Sequence, residues 1–147
     1  MGRVIRVKGR EILGLLLNVD HISGEVTDLV TDNSIQKVTG LVITKGDEEE
    51  IIPWLPLTLN KGQLHVLEIP ATFAAPAEGY RLTKDLIGQE ISMDNGSSGY
   101  LGDLLIELPE GKIGGVEVSR GFVGDLLDGR FLHQGEFFLL SERGETK

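Results

Sequence analysis

The 147-residue chain has no cysteine. Disulfide staples, thiolate nucleophiles and cysteine-rich zinc sites are therefore excluded, and a packed core has to supply the stability. Aromatic residues make up 5% of the sequence and tryptophan occurs once, so each large ring is needed for burial. Basic side chains are in the minority, with 14 Lys and Arg against 23 Asp and Glu. The resulting formal charge of −9 repels a phosphate backbone and argues against nucleic acid as a partner. No apolar run reaches the ~20 residues that a membrane-crossing helix needs. The basic start, residues 1–10, is followed only by the short apolar run Ile12 to Leu17, which is not a secretory leader. These features lead us to expect a cytoplasmic protein without a transmembrane segment.

Glycine, by contrast, is abundant: 20 residues spread along the whole length, with few long helical patterns. Many short strands joined by tight turns are expected, giving a mainly all-β class. Residues 13–43 also reappear about 75 positions later as 87–118. Gly24, Val26, Asp28, Leu29, Val30 and Asp32 lie over Gly99, Leu101, Asp103, Leu104, Leu105 and Glu107, and upstream Asp20 lies over Asp94. This duplication predicts strands near 14–20, 24–32 and 37–45, with counterparts near 88–94, 99–107 and 112–119. Asp94-Asn95-Gly96 and Pro109-Glu110-Gly111 mark turns. Thr83 to Gly88 suits one helical turn capped by Thr83. The expected organisation is two tandem, small antiparallel β-barrel-like units over 1–69 and 81–141. A Pro- and Ala-rich linker over 70–80 joins them, and a polar tail covers 142–147. Leu17, Val26, Leu29, Val30, Val38, Leu41, Ile43, Ile91, Leu101, Leu104, Leu105, Val116 and Val118 are the expected core.

Catalytic chemistry finds little support in these residues. His21, His65 and His133 stand in no ligand spacing, and Ser97-Ser98 lacks the frame of a nucleophile loop. Gly111-Lys112-Ile113-Gly114-Gly115 lacks the ending of a phosphate cradle. Asp28 and Asp103 are the most suggestive acids, because both stand among apolar strand residues where an unpaired charge is costly. They suit a catalytic dyad between the units, or carboxylates that face solvent or accept backbone donors at a bend. Arg3, Arg6, Lys8 and Arg10 read as the solvent face of an amino-terminal strand, and Asp47 to Glu50 as a solvated loop tip. The surface candidate is Pro53-Trp54-Leu55-Pro56, since a rigid indole between prolines suits an interface, or else plugs one end of the first barrel.

The ordered set Leu86-Ile87-Gly88, Ile91, Asp94, Gly99-x-Leu101-x-Asp103-Leu104-Leu105-x-Glu107 and Gly115-x-Glu117-Val118, with Ile52-Pro53-Trp54 in the first half, resembles the PRC-barrel family. The second half departs after Val118, where Gly121 to Phe131 contains no Pro-Trp. The resemblance implies small antiparallel β-barrel-like modules, as found in the H subunit of photosynthetic reaction centres and in a ribosome maturation factor, where they mediate interactions. The expected function is a non-enzymatic interaction or assembly protein with a protein partner, possible self-association as a homodimer, no cofactor and no metal. The alternatives are a small-ligand or metal-binding module, or an enzyme using Asp28 and Asp103 between the units.

Overall fold

The computed structural model describes residues 4–19, 21–69 and 78–143. Arg3, Asp20, most of the expected linker and the end of the expected tail lie outside the described residues. The first half contains β1 (Ile5–Lys8), a 3-10 turn (Gly9–Glu11), β2 (Leu16–Val19), β3 (Ile22–Thr31), β4 (Val38–Lys45), β5 (Glu48–Pro53), β6 (Leu57–Asn60) and β7 (Gln63–Val66). The second contains β8 (Arg81–Leu82), α1 (Thr83–Leu86), β9 (Glu90–Met93), β10 (Ser98–Leu108), β11 (Lys112–Ser119), α2 (Phe122–Asp128), β12 (Phe131–His133), β13 (Phe137–Leu139) and α3 (Leu140–Arg143). Strands far outnumber helices among the described residues, which is the mainly-β class that the glycine-rich patterning predicts.

Three antiparallel sheets form. One runs β2-β3-β4-β5, a second runs β12-β11-β10-β9-β13, and β6 and β7 make a separate hairpin. In the first, β3 shifts register against β4 between Val26 and Asp28 and again between Val30 and Thr31. The shifts of β10 against β11 fall between Leu101 and Asp103 and between Leu105 and Ile106, the positions that the sequence offset makes equivalent. A bulge at each place bends the strand and raises its twist. Gly24 and Gly99 precede these bends, and a Cβ on either would stand 2.6 Å from Ile43 Cγ2 or from Val118 Cγ1. Only glycine permits that approach of neighbouring strands.

The bends let each long strand serve two neighbours along one edge. β3 pairs with β2 through Ile22 to Glu25 and with β8 through Val30 and Thr31. β10 pairs with β9 through Ser98 to Tyr100 and with β1 through Leu105 to Leu108. The opening strand of each half therefore completes the sheet of the other half, so strand pairing does not follow the 1–69 and 81–141 division. All the expected core residues are buried, and all but Val30 and Leu105 merge with Ile12, Ile52, Leu55, Leu57, Leu86, Ile106 and Leu108 into one cluster spanning both halves. Each such side chain contributes ~1.5–3 kcal/mol when fully buried.

Three expectations change at this level. Among the described residues the sheets do not close into barrels; the bulged strands hand their second edge to the other half instead. Glu48, Glu49 and Glu50 are exposed on edge strand β5 and not on a loop tip, because Gly46 and Asp47 already complete the turn. Thr83 is the first residue of α1 and not its N-cap, a position held by Leu82.

Candidate functional site

The bulges place Asp28 and Asp103 at the crossing of the two halves. Each is buried, and each accepts the backbone N–H of the following residue at 2.8 Å, from Leu29 and from Leu104. Asp28 Oδ1 also accepts the Thr83 hydroxyl and the Lys84 N–H at 3.2 Å, at the start of α1. Asp103 Oδ2 accepts the Arg10 N–H at 3.1 Å, in the 3-10 turn after β1. Each acid thus tethers the helical turn that follows the incoming strand. Of the two sequence readings, acceptance of backbone donors at a bend is what the structure places here, and the two acids share no hydrogen-bond partner.

The two crossings differ in charge. Behind Asp103, Glu117 of β11 is only 4% exposed, and it meets Lys8 Nζ at 2.9 Å, Arg10 Nη1 at 2.8 Å and Arg130 Nη1 at 3.0 Å. Hydrogen bonding by Arg10 is the largest influence on the Glu117 carboxyl; burial opposes it and Lys8 and Arg130 reinforce it, so its pKa falls from 4.5 to about 2. The first half has Val42 at the equivalent position, and there Asp28 Oδ2 has no hydrogen-bond partner among the described residues. Lys8 and Arg10 were expected on a solvent face. They are partly exposed, and their charged ends also reach a buried acid, the arrangement by which a carboxylate tolerates burial.

Trp54 lies on the seam between the halves. Its Nε1–H donates to the Pro109 carbonyl at 2.9 Å, and a Cβ on Gly111, which has φ of 84°, would stand 2.8 Å from the indole. The half-buried ring packs on the second half's turn and against the core cluster. Leu55 is fully buried, while Pro53 and Pro56 are half-buried. Beside the seam, Val38 N–H donates to Gly111 O at 2.8 Å and Ile113 N–H to Gln36 O at 2.9 Å, with Lys37 opposite Lys112. These contacts relate the halves by an approximate twofold axis between the two lysines.

The second half carries an excursion that the first lacks. Where β4 turns directly into β5, β11 leads into α2 before β12 completes the sheet. Asp125 closes it by accepting the Ser119 hydroxyl at 2.7 Å and the Arg120 N–H at 2.8 Å, contacts that lower its pKa, the hydroxyl most. Arg120 caps the Phe131 ring at 4.2 Å from its centroid and donates to Gly129 O. So fixed, the excursion leaves Leu126 70%, Leu127 77% and Leu132 54% exposed beside the outer strand of the sheet.

His133 Nε2 lies 3.0 Å from Asp94 Oδ1 and 3.1 Å from Glu136 O, a pairing that sequence spacing missed because it is assembled by β9, β12 and β13. His65 is exposed on β7, and Ser97 donates to Asn95 within its turn at 2.6 Å. No group of three or more His, Asp or Glu side chains among the described residues is arranged to hold a metal. No helix among them is long and apolar enough to cross a membrane. The chain matches no protein-family model and no curated protein.

Proposed function

We propose that this chain is a non-enzymatic assembly protein of PRC-barrel type, made of two tandem units, which docks a protein partner on the α2–β12 face. The observation that carries the reading is the set of exposed leucines at 126, 127 and 132 beside an outer strand. An apolar cluster at a sheet edge marks a protein contact in a soluble fold. The corresponding outer strand of the first half, β5, is guarded instead by Glu48, Glu49 and Glu50, which discourage strand addition. Asp28 and Asp103, which an enzymatic reading would require, are used as acceptors that fasten the two halves.

The test is recovery of stoichiometric partners from the native host with wild-type protein and with Leu127→Asp and Leu132→Asp. Circular dichroism and the melting temperature report whether the variants stay folded. Loss of a specific partner from folded variants supports the reading. If light scattering shows a wild-type dimer that these substitutions dissociate, the partner is a second copy. Equal recovery by all three proteins, or reproducible turnover lost in Asp28→Asn, would reject it.

A further inference from the structure

We propose that Lys37 and Lys112, meeting on the approximate twofold axis, form a binding site for a small phosphate-bearing anion. This goes beyond the protein-docking role and uses a different surface. The backbone bonds flanking the two lysines, Val38 N–H to Gly111 O and Ile113 N–H to Gln36 O, make them a non-hydrogen-bonded antiparallel pair. That is the closer of the two cross-strand spacings, with both side chains leaving on the same face. Two like charges so placed repel each other unless something neutralises them.

The nearest acids form no ion pair with either lysine among the described residues. Asp32 is the residue of the first half that corresponds to Glu107 of the second. Its Oδ1 accepts the Gln36 N–H at 2.8 Å and the Lys37 N–H at 3.2 Å, while its Oδ2 accepts the Ser34 hydroxyl at 3.3 Å. Glu107, directly across β10 from Lys112, pairs with Arg6 at 3.1 Å. Both lysines are exposed, and neither has an ion-pair partner among the described residues.

Lys112 also lines an open groove of ≈ 1160 Å³, together with Gln36, Arg6 and Arg81. Three carboxylates share the groove. Glu107 is held by Arg6, while Asp94 lies 3.0 Å from His133 and Glu136 makes no ion pair with a described residue. Two lysines side by side, with the Gln36 amide nearby, suit a compact dianion, which accepts several charged hydrogen bonds at once. The formal charge of −9 opposes an extended anionic surface such as a lipid bilayer. A small anion on the axis is screened from distant acids beyond ~8 Å at physiological ionic strength.

The test titrates inorganic pyrophosphate at ionic strength matched with sodium chloride. Heat of binding and Trp54 fluorescence are the readouts, since the indole packs on Gly111 next to Lys112. The expected result is saturable binding that weakens about tenfold in Lys37→Gln and in Lys112→Gln and further in the double variant, the loss expected for a charged hydrogen bond. Lys45→Gln, far along β4, should bind as the wild type does. The melting temperature without ligand shows that each variant is folded. Absence of saturable binding to the wild-type protein, or unchanged affinity in a folded double variant, would overturn the proposal.

Discussion

Replacing Glu117 by glutamine keeps the shape of a buried side chain and removes the charge that Lys8, Arg10 and Arg130 converge upon. Breaking a fully buried ion pair costs ~3–5 kcal/mol. Here the cations are 32%, 52% and 46% exposed and can turn to water, which lowers the expected loss to about 2–3 kcal/mol at neutral pH. The lowered Glu117 pKa turns the same contacts into a pH dependence. Its pKa is lowered on folding from 4.5 to about 2, so its contribution is fully present above 4.5 and disappears as pH falls through 2. The full contribution is about 3 kcal/mol, of which about 2 kcal/mol is lost by pH 3. Urea unfolding of wild type and Glu117→Gln, followed by circular dichroism at pH 7 and pH 3, measures both quantities. The gap between the proteins should be wide at pH 7 and should narrow at pH 3. A gap below ~0.5 kcal/mol at pH 7, or one that stays constant across this range, would refute the assignment of Glu117 as a charged tether.

Thr83→Val should cost about 1–3 kcal/mol in urea unfolding, because buried Asp28 loses a hydroxyl donor; Thr83→Ser, which keeps the donor, should recover most of it. Gly111→Ala should cost at least about 2 kcal/mol and shift the emission of Trp54, since the new methyl enters the space of the indole at a positive φ. Unchanged emission and stability would remove the seam from its proposed place. Leu104→Ala should cost about 2–5 kcal/mol, as expected for a side chain with no exposure, and a loss under ~0.5 kcal/mol would contradict its burial.

The long strands were legible because Gly24, Asp28, Gly99 and Asp103 recur at one offset, and the bulges fall where those residues stand. The exchange of first strands was not legible. Ile5 finds Leu108, and no local pattern in Arg6, Val7 and Lys8 tells which of two similar sheets this strand joins. Glu117 was missed as a tether because it alternates with buried Val116 and Val118, and alternation assigns it to solvent. The available signal was a single acid between valines together with the basic pair Lys8 and Arg10. Trp54 was singled out by its two flanking prolines, but its contact with Pro109 and Gly111 depends on the turn of the other half. The Gly121 to Phe131 segment was recognised only as a departure from the family pattern. Its apolar face emerged once Asp125 was seen to fold the segment back on Ser119.

The exchange of opening strands also imposes an order on biosynthesis. β1 is made well before its partner stretch of β10, which ends at Leu108. At ~5–20 residues per second, this strand waits roughly 5–20 s for a surface to join. β3, β4 and β8 are all made before β10, and β3 pairs with both of the others. During that interval β1 is an unpaired extended segment, the kind of edge that recruits other nascent chains. Arg6 and Lys8 on either side of Val7 are charges of the kind that discourage such edge pairing. The same two side chains then close onto Glu107 and Glu117 when the second half arrives, so the charges that protect the strand early in synthesis help to fasten it at the end.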